Sequence, residues 1–230
     1  MGAHSAVCAE PEAVIELFTS QGCSSCPPAD KLMVEFARDP SVVAMSLAID
    51  YWDYLGWKDT LALKGHGKRQ QAYAHVRGDR EVYTPQVVVN GIMHVAGSDQ
   101  KAIERAIAQT RRDASPMQLL VALTIAGDQL TVTVPAAKDG QGRAEVWLCP
   151  IIKSVTVAIE RGENRGHTFT YSNVVRRWMK LGDWTGKAET YNVPIKEFQN
   201  GDIDTIAVMV QSGGMSSPGL MLGAAMASLR

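Results

Sequence analysis

Two cysteines, Cys23 and Cys26, lie between a short apolar segment and a segment with helical periodicity. Residues 13–19 are rich in β-branched and aromatic side chains, which predicts a buried strand. Residues 29–38 repeat apolar side chains at helical spacing, and the two prolines before them are compatible with a first helical turn. In this helix we expect one side to face the core and the other to face solvent: Leu32, Met33 and Phe36 inward, and Asp30, Lys31, Glu35 and Arg38 outward.

A Cys-x-x-Cys pair at the start of a helix is typical of redox chemistry. The positive end of the helix dipole stabilises a thiolate, which is the form that attacks a disulfide. We therefore predict that Cys23 is a partly exposed nucleophile and that Cys26, the more buried thiol, resolves the mixed disulfide. Two other interpretations stay open, a structural disulfide and half of a zinc site, although zinc would normally require a second Cys or His pair.

The composition limits the kinds of partner. The chain has 230 residues, enough for one large or two small domains. Its net charge of −1 gives no electrostatic case for nucleic-acid binding, and no apolar run approaches the roughly 18 residues that a membrane helix needs. Four cysteines are too few to build the fold from disulfides, so folding must rest mainly on a hydrophobic core.

The first residues resemble the end of a secretory signal, with small residues before an expected cleavage after Ala9. We therefore expect residues 1–12 to be a signal remnant with a disordered start, and the protein to be exported. Cleavage at this point would remove Cys8 from the mature protein, and the compartment would be oxidising.

A second strand is predicted over residues 41–49, an apolar run that follows the first helix. The two strands and the helix form a βαβ unit, so the strands should be parallel and end at the same edge of the sheet. The loop at residues 50–59 should then lie beside the cysteines. Its four aromatic residues either anchor the loop as a small core or form a recognition platform. We name Asp50, Tyr51 and Trp52 as candidate modulators of the cysteine pair.

Residues 60–76 contain a further helical stretch, rich in Lys, Arg and Gln. We expect Tyr73 to face inward, Lys68 and Arg69 to lie on a solvated face, and His66 to be a surface residue.

A hairpin is predicted at Asn90-Gly91, because two apolar segments flank this turn dipeptide. Pro85 stands just before the first of these strands. Asp99 then caps a helix that ends near Arg112.

This order of elements, βαβ, then α, then ββα, resembles the thioredoxin fold, with the cysteine pair at the start of the first helix and Thr84-Pro85 as the cis-proline loop. More narrowly, the chain resembles an uncharacterised family of exported bacterial thioredoxin-like proteins. The resemblance implies a location in the bacterial periplasm, brings no established substrate, and covers nearly the whole chain through residues 16–30, 50–59, 83–91, 162–166 and 171–176.

In the thioredoxin superfamily the proline loop packs against the cysteines, and its backbone binds an extended substrate segment. The resemblance therefore implies that Thr84 and Pro85 position the partner and that the bond between them is cis. Gly22, where a Trp is usual, and the dipeptide Ser24-Ser25 depart from thioredoxin, which leaves the direction of electron flow open. Glu16 lies close to the position of a buried acid in thioredoxin, so it is either a proton carrier or an ordinary carboxylate.

The second half is predicted to be β-structure, because short segments of alternating polarity are separated by turns that contain Gly or Pro. Residues 162–177 are polar and indicate either a binding loop or an inter-strand connection. We expect His167 at the surface and Cys149 as a buried free thiol, which would bridge Cys8 only if the N-terminus survives processing. Strands are predicted at residues 117–125, 129–134, 143–149, 154–160, 187–193 and 205–211, and a strand or a helix at 220–228.

The sequence therefore predicts an α/β protein with a thioredoxin-like domain at residues 13–113 and a β-rich, antiparallel, sandwich-like domain at residues 117–230. The predicted function is an exported thiol–disulfide oxidoreductase that acts on protein or small-molecule thiols, with the Cys23–Cys26 disulfide as its centre and no other cofactor or metal. The alternatives are a non-catalytic binding module with a structural disulfide, and a Cu(I)-handling protein in which Met33 or His94 is a further soft ligand.

Overall fold

The computed structural model describes residues 11–139 and 142–229, and the predicted signal cleavage site and Cys8 lie outside them. Within these ranges the chain forms a mixed α/β structure with one nine-stranded mixed sheet, one three-stranded sheet and few helices. Among the described residues, no helix has both the length and the apolar character needed to cross a membrane.

The elements of the first half occur in the predicted order. Strands β1 and β2 are parallel, as predicted, and β3 and β4 form the predicted hairpin. Asn90 and Gly91 are the central residues of its turn, which the Ile92 N–H closes onto the Val89 carbonyl (3.1 Å), and their φ values of 49° and 76° are left-handed, as in a type I′ turn. The bounds are β1 (Ala13–Thr19), α1 (Pro27–Phe36), β2 (Val42–Ala48), a 3₁₀ turn (Asp53–Leu55), α2 (Lys64–Arg77), β3 (Gln86–Val89), β4 (Met93–Ala96) and α3 (Gln100–Ala114).

Strand β1 is buried along its whole length and separates two apolar clusters. Ile15 and Leu17 pack in the cluster that contains residues of α1 and α3. Phe18 faces the opposite side of the sheet, where it packs against Tyr73 of α2. Because side chains alternate along a strand, Glu16 points to this second, α2 side.

The second half is largely β-structure, as predicted, and the strand at residues 129–134 has the predicted bounds, whereas other strands differ from the predicted ones. Residues 143–149 and 154–160 belong to one long strand, and residues 220–228 are a strand rather than a helix. The interpretation of residues 162–177 as a connection is wrong for half of the segment, because residues 168–175 form a partly buried strand. The bounds are β5 (Ala122–Ala126), β6 (Gln129–Val134), β7 (Ala144–Ala158), β8 (Thr168–Val175), β9 (Met179–Trp184), β10 (Glu189–Pro194), β11 (Thr205–Gly214) and β12 (Ser217–Ser228).

The large sheet runs through both halves of the chain. Its order is β12-β11-β7-β8-β2-β1-β3-β4, with β9 beside β7, while β10-β6-β5 form the smaller sheet. The junction is between β2 and β8, where Ser46 pairs with Val174 and the Asn173 side-chain amide donates to the Ala44 carbonyl (2.9 Å). The sheet thus passes across the boundary predicted near residue 117, and the division into two domains stays a prediction.

Two predictions for α2 are wrong, because this helix packs between the sheet and residues of the second half. Arg69 is 1% exposed and forms an ion pair with Glu16 (2.7 Å), while its guanidinium lies over the Trp178 ring. His66 is fully buried, with its Nδ1 2.8 Å from the Ala48 carbonyl oxygen. Lys68 and His167, which were also predicted to lie at the surface, are exposed. Cys149 is a buried free thiol, as predicted.

Candidate functional site

Cys23 and Cys26 form a disulfide at the start of α1, and Cys26 is the N-cap residue of this helix. The turn that carries them follows β1 and is closed by hydrogen bonds from Cys23 N–H to the Ser20 carbonyl and from Cys26 N–H to the Cys23 carbonyl (3.1 and 3.2 Å). Cys26 is fully buried, but Cys23 is only 4% exposed, so the expected exposure of Cys23 is wrong. The adjacent Ser25 hydroxyl, 3.3 Å from the Cys23 sulfur, and the Thr84 segment cover it.

Thr84 and Pro85 lie against the disulfide, and the bond between them is cis. The Thr84 carbonyl oxygen is 3.8 Å from the Cys23 sulfur and accepts a hydrogen bond from the Ser25 hydroxyl (3.4 Å). Pro85 is buried, and the chain at Gly97 passes so close that a Cβ there would lie 3.1 Å from the Pro85 Cβ. The sequence-predicted residues Cys23, Thr84 and Pro85 are therefore brought together.

The aromatic loop at residues 50–59 reaches the same place. Trp52 donates from its indole N–H to the Thr84 hydroxyl (2.7 Å), and Tyr51 donates to Gln70 (3.2 Å). The rings of Tyr51, Trp52 and Tyr54 follow one another at centroid distances of 5.8 and 6.1 Å. Tyr54 is 75% exposed, so the loop has both of the predicted features, anchoring contacts and an exposed aromatic surface.

The absence of a side chain at Gly22 allows this loop to approach the cysteines closely. A Cβ at Gly22 would lie 3.3 Å from the Cβ and the carbonyl oxygen of Trp52, which is tighter than ordinary contact. Trp52 thus occupies space beside residue 22 that a larger side chain would need. Among the described residues no hydrogen bond joins Asp50 to either cysteine; Asp50 is half-buried just beyond β2.

Glu16 is not part of this site. Its carboxylate accepts hydrogen bonds from Arg69 (2.7 and 3.1 Å) and from the Tyr73 hydroxyl (2.5 Å), on the α2 side of the sheet. The helix that carries the cysteines packs on the opposite side. The two residues named as further soft ligands for copper are also engaged elsewhere: Met33 packs in the α1–α3 cluster, and His94 contacts Tyr83 and Asp79.

Asp30, predicted to face solvent, is instead 3% exposed, because this side of α1 is covered by β8. Its Oδ1 accepts a hydrogen bond from the Thr19 hydroxyl (2.7 Å), and its Oδ2 is buried with no hydrogen-bond partner. Burial, more than the nearby carboxyl of Asp59, raises the pKa of Asp30 to about 7.

The position of Asp30 relates it directly to Cys26. Cys26 has helical backbone angles, and the Asp30 N–H donates to the Cys26 carbonyl (3.1 Å), so the two residues stand one helical turn apart. Side chains at this spacing share a helix face, with about 5–6 Å between their Cβ atoms. A buried carboxyl that is partly protonated near neutral pH is therefore adjacent to the buried sulfur.

Asp59 is a second buried carboxyl on this side of the site, 4% exposed. It accepts hydrogen bonds from the backbone N–H groups of Gln21 and Leu61 (both 2.8 Å). Burial raises the pKa of Asp59 to about 6, in spite of these hydrogen bonds. Burial and then the two carboxyls also raise the pKa of Tyr171 in β8.

Asn164 was not predicted individually, although it lies in the polar segment at residues 162–177. Its side-chain amide donates to the backbone carbonyls of Gln21 and Cys23 (both 2.9 Å). The second half of the chain therefore contacts the cysteine turn directly. The polar run and the family resemblance at residues 162–166 both point to this stretch, but neither distinguishes Asn164 from its neighbours.

Fold and site together define a mixed α/β protein with a buried Cys-x-x-Cys disulfide at a helix start. The chain belongs to the family described as "Protein of unknown function (DUF1223)", whose model matches residues 14–211. Comparison with curated proteins finds no match.

Two solved structures are similar to this chain. One is the crystal structure of a protein from Agrobacterium tumefaciens, with 32% sequence identity and a TM-score of 0.84 over 95% of this chain and 94% of that one. The other is HBP35 of Porphyromonas gingivalis, with 16% identity and a TM-score of 0.64 over 96% of this chain and 76% of that one. At this identity the second likeness concerns the fold alone.

Proposed function

We propose that this protein is an exported thiol–disulfide oxidoreductase of the bacterial periplasm, in which residues 13–113 form a thioredoxin-like unit and residues 117–230 form a β-rich, sandwich-like domain. The observation that carries the proposal is the Cys23–Cys26 disulfide at the start of α1, with the Thr84 carbonyl 3.8 Å from the Cys23 sulfur. The order of elements in the first half also supports it. The substrates are protein or small-molecule thiols.

The proposed reaction is a two-electron exchange with a partner dithiol. A partner thiolate attacks the Cys23 sulfur, a mixed disulfide forms, and Cys26 leaves as a thiolate. Cys26 then takes a proton. The second partner thiolate attacks the partner's own sulfur in the mixed disulfide, which leaves the partner oxidised and releases Cys23 as a thiolate that also takes a proton. Two electrons and two protons pass to the cysteine pair, and the same steps in reverse reduce a partner disulfide.

The proposal assigns a group of the protein to each step of this exchange. The positive end of the α1 dipole favours negative charge on the sulfurs. In the proposal the Thr84 backbone, whose carbonyl lies beside the Cys23 sulfur, pairs with an extended partner segment, and the buried Pro85 helps to position that segment. We assign the proton on Cys26 to Asp30, because its unpartnered, buried Oδ2 is one helical turn away and its pKa of about 7 allows it to donate or accept near neutral pH. Glu16, held by Arg69, does not have this role in the proposal.

One observation favours a second candidate, a non-catalytic binding module with a structural disulfide. Cys23 is only 4% exposed, whereas a sulfur that reacts with a protein partner must become accessible. In the proposed reaction the exposed Ser24 and Ser25 must therefore move aside when the partner binds.

The deciding experiment measures the reduction potential of the cysteine pair by equilibration in glutathione buffers. Alkylation and mass spectrometry would count free thiols in a Cys8→Ser/Cys149→Ser background, with Cys23→Ser as the control. We expect a potential between roughly −120 and −270 mV, as in known oxidoreductases. We also expect the free Cys23 thiolate of Cys26→Ser to attack a model disulfide and remain trapped as a mixed disulfide, while one thiol of the model compound is released. A potential far below about −300 mV, with no trapped species, would support the structural disulfide instead.

A further inference from the structure

Asn164 links the second half of the chain to the cysteine turn, 141 residues away in sequence from Cys23. We infer that Asn164 is a positioning residue that favours the disulfide form of the cysteine pair by restraining the turn in its dithiol form. This inference rests on the proposed redox function and gives the second half a part in it.

The loop between β7 and β8 holds the Asn164 side chain against the cysteine turn. Asn164 is 6% exposed, while residues 163 and 165–168 around it are exposed. The loop is closed at its base by hydrogen bonds from Ile159 N–H to the His167 carbonyl (2.9 Å) and from Gly166 N–H to the Ile159 carbonyl (2.7 Å). A loop that buries one polar side chain against another segment holds that segment in place.

Both protons of the Asn164 amide are used on the cysteine turn. One is donated to the carbonyl of Gln21 and the other to the carbonyl of Cys23, each at 2.9 Å. The Cys23 carbonyl also accepts the Cys26 N–H (3.2 Å), so two donors meet at the peptide group that follows the first sulfur. These bonds restrain the backbone on both sides of residue 22.

The contact is reinforced at Gln21. Trp57 donates its indole N–H to the Gln21 side-chain oxygen (2.8 Å), and Gly162 packs against Trp57. A Cβ at Gly162 would lie 3.2 Å from the Trp57 Cβ, and its φ of +77° is a left-handed conformation that favours glycine. The β7–β8 loop, the aromatic loop and the cysteine turn therefore meet at one point.

The redox consequence follows from the freedom of the turn in its two states. In the disulfide form the S–S bond already restricts the turn, whereas in the dithiol form only the non-covalent contacts do. Loss of the Asn164 contacts therefore releases more conformational freedom in the dithiol than in the disulfide. The dithiol becomes relatively more stable, and the cysteine pair becomes easier to reduce.

The test compares Asn164→Ala with the unaltered chain by equilibration against dithiothreitol, which reports on oxidoreductase and structural disulfides alike. We expect the equilibrium constant for disulfide formation to fall about tenfold, which corresponds to a potential about 30 mV less negative. If Asn164→Ala does not fold, Asn164→Asp replaces it. Asn164→Asp keeps the shape but puts a carboxylate oxygen where the donors were, and the fall should be at least as large.

The matched control is Thr110→Val, which removes another buried hydrogen-bonding side chain, a hydroxyl that donates to the Ala106 carbonyl in α3, away from β8 and the cysteine turn. We expect this control to lose stability without a change in the redox equilibrium. An Asn164 variant within twofold of the unaltered chain, or an equal shift in Thr110→Val, would overturn the inference. The absolute reduction potential tests the proposed function, whereas the difference in potential between variants tests the role of Asn164. Either proposal can therefore be refuted without the other.

Discussion

Asp30→Asn should make the protein more stable at alkaline pH, although it alters a fully buried side chain. In the folded state the pKa of Asp30 is raised by burial to about 7, whereas in the unfolded chain it returns to its ordinary value of 3.8. Between these two values the unfolded state binds fewer protons than the folded state. The stability that Asp30 contributes therefore falls as the pH rises through this interval, which is the reverse of the usual behaviour of a paired carboxylate.

The magnitude follows from the two pKa values. The whole difference corresponds to about 4 kcal/mol above pH 7, at 1.36 kcal/mol for each pKa unit. Asparagine avoids this ionisation cost and still accepts from Thr19 through its oxygen, but its amide nitrogen replaces the unpartnered Oδ2 and costs about 1–3 kcal/mol. We therefore expect a net stabilisation of about 1–3 kcal/mol at pH 8. The amide cost is the same at every pH, so the effect of the variant should be about 2–3 kcal/mol more favourable at pH 8 than at pH 5.

The assay is urea denaturation of the oxidised protein at pH 5 and pH 8, for the unaltered chain, Asp30→Asn and Glu35→Gln. Glu35 is an exposed acid on the same helix, so its replacement controls for the loss of one negative charge from α1. We expect the control to change stability by less than 0.5 kcal/mol at both pH values. Equal effects of Asp30→Asn at the two pH values would refute the reasoning, because they would mean that Asp30 has the same proton affinity folded and unfolded.

The remaining predictions concern the buried ion pair and the aromatic loop. Arg69→Met should lower the free energy of unfolding by about 3–5 kcal/mol, because it leaves the Glu16 carboxylate buried without its cation. Adding Glu16→Gln should recover part of this loss in urea denaturation, and a loss below 1 kcal/mol would show that water reaches the pair. Trp52→Phe should cost about 0.5–1.5 kcal/mol by the same measurement, because it removes the hydrogen bond to Thr84, whereas Tyr54→Phe at an exposed position should be neutral. Equal effects of the two aromatic variants would contradict the anchoring role of Trp52.

The features that could be predicted from the sequence are those that depend on a few neighbouring residues. Cys23 and Cys26 stand before a helix because Pro27 and Pro28 can only begin one there, and the Asn90-Gly91 turn requires left-handed backbone angles. Each signal lies within one turn of the chain, so no knowledge of distant segments was needed. The cis bond at Thr84 was expected only through the thioredoxin resemblance.

The burial of charged residues on the helices could not be predicted in the same way. A helical pattern divides side chains by polarity, but α1 and α2 are covered on more than one side, so Asp30, His66 and Arg69 are buried as well. One signal was available: Glu16 lies within an otherwise apolar segment predicted to be a buried strand, and a buried carboxylate requires a cation. The identity of that cation depends on where α2 packs, which the periodicity of α2 does not reveal.

The strand order of the second half depends on contacts that are still more distant. The alternation of Thr168–Val175 was compatible with a strand, but only its pairing beside β2 buries the polar Ser172 and Asn173 and joins the two halves into one sheet. The same pairing places the β7–β8 loop over the cysteine turn, where Asn164 completes the site.

The two sulfurs come from one short local motif, whereas the groups proposed to control their chemistry depend on how β8 packs. Asp30 is buried because β8 covers α1, and Asn164 arrives because β8 pairs with β2. If the proposed function holds, the β-rich half belongs to the redox centre as much as the cysteines do.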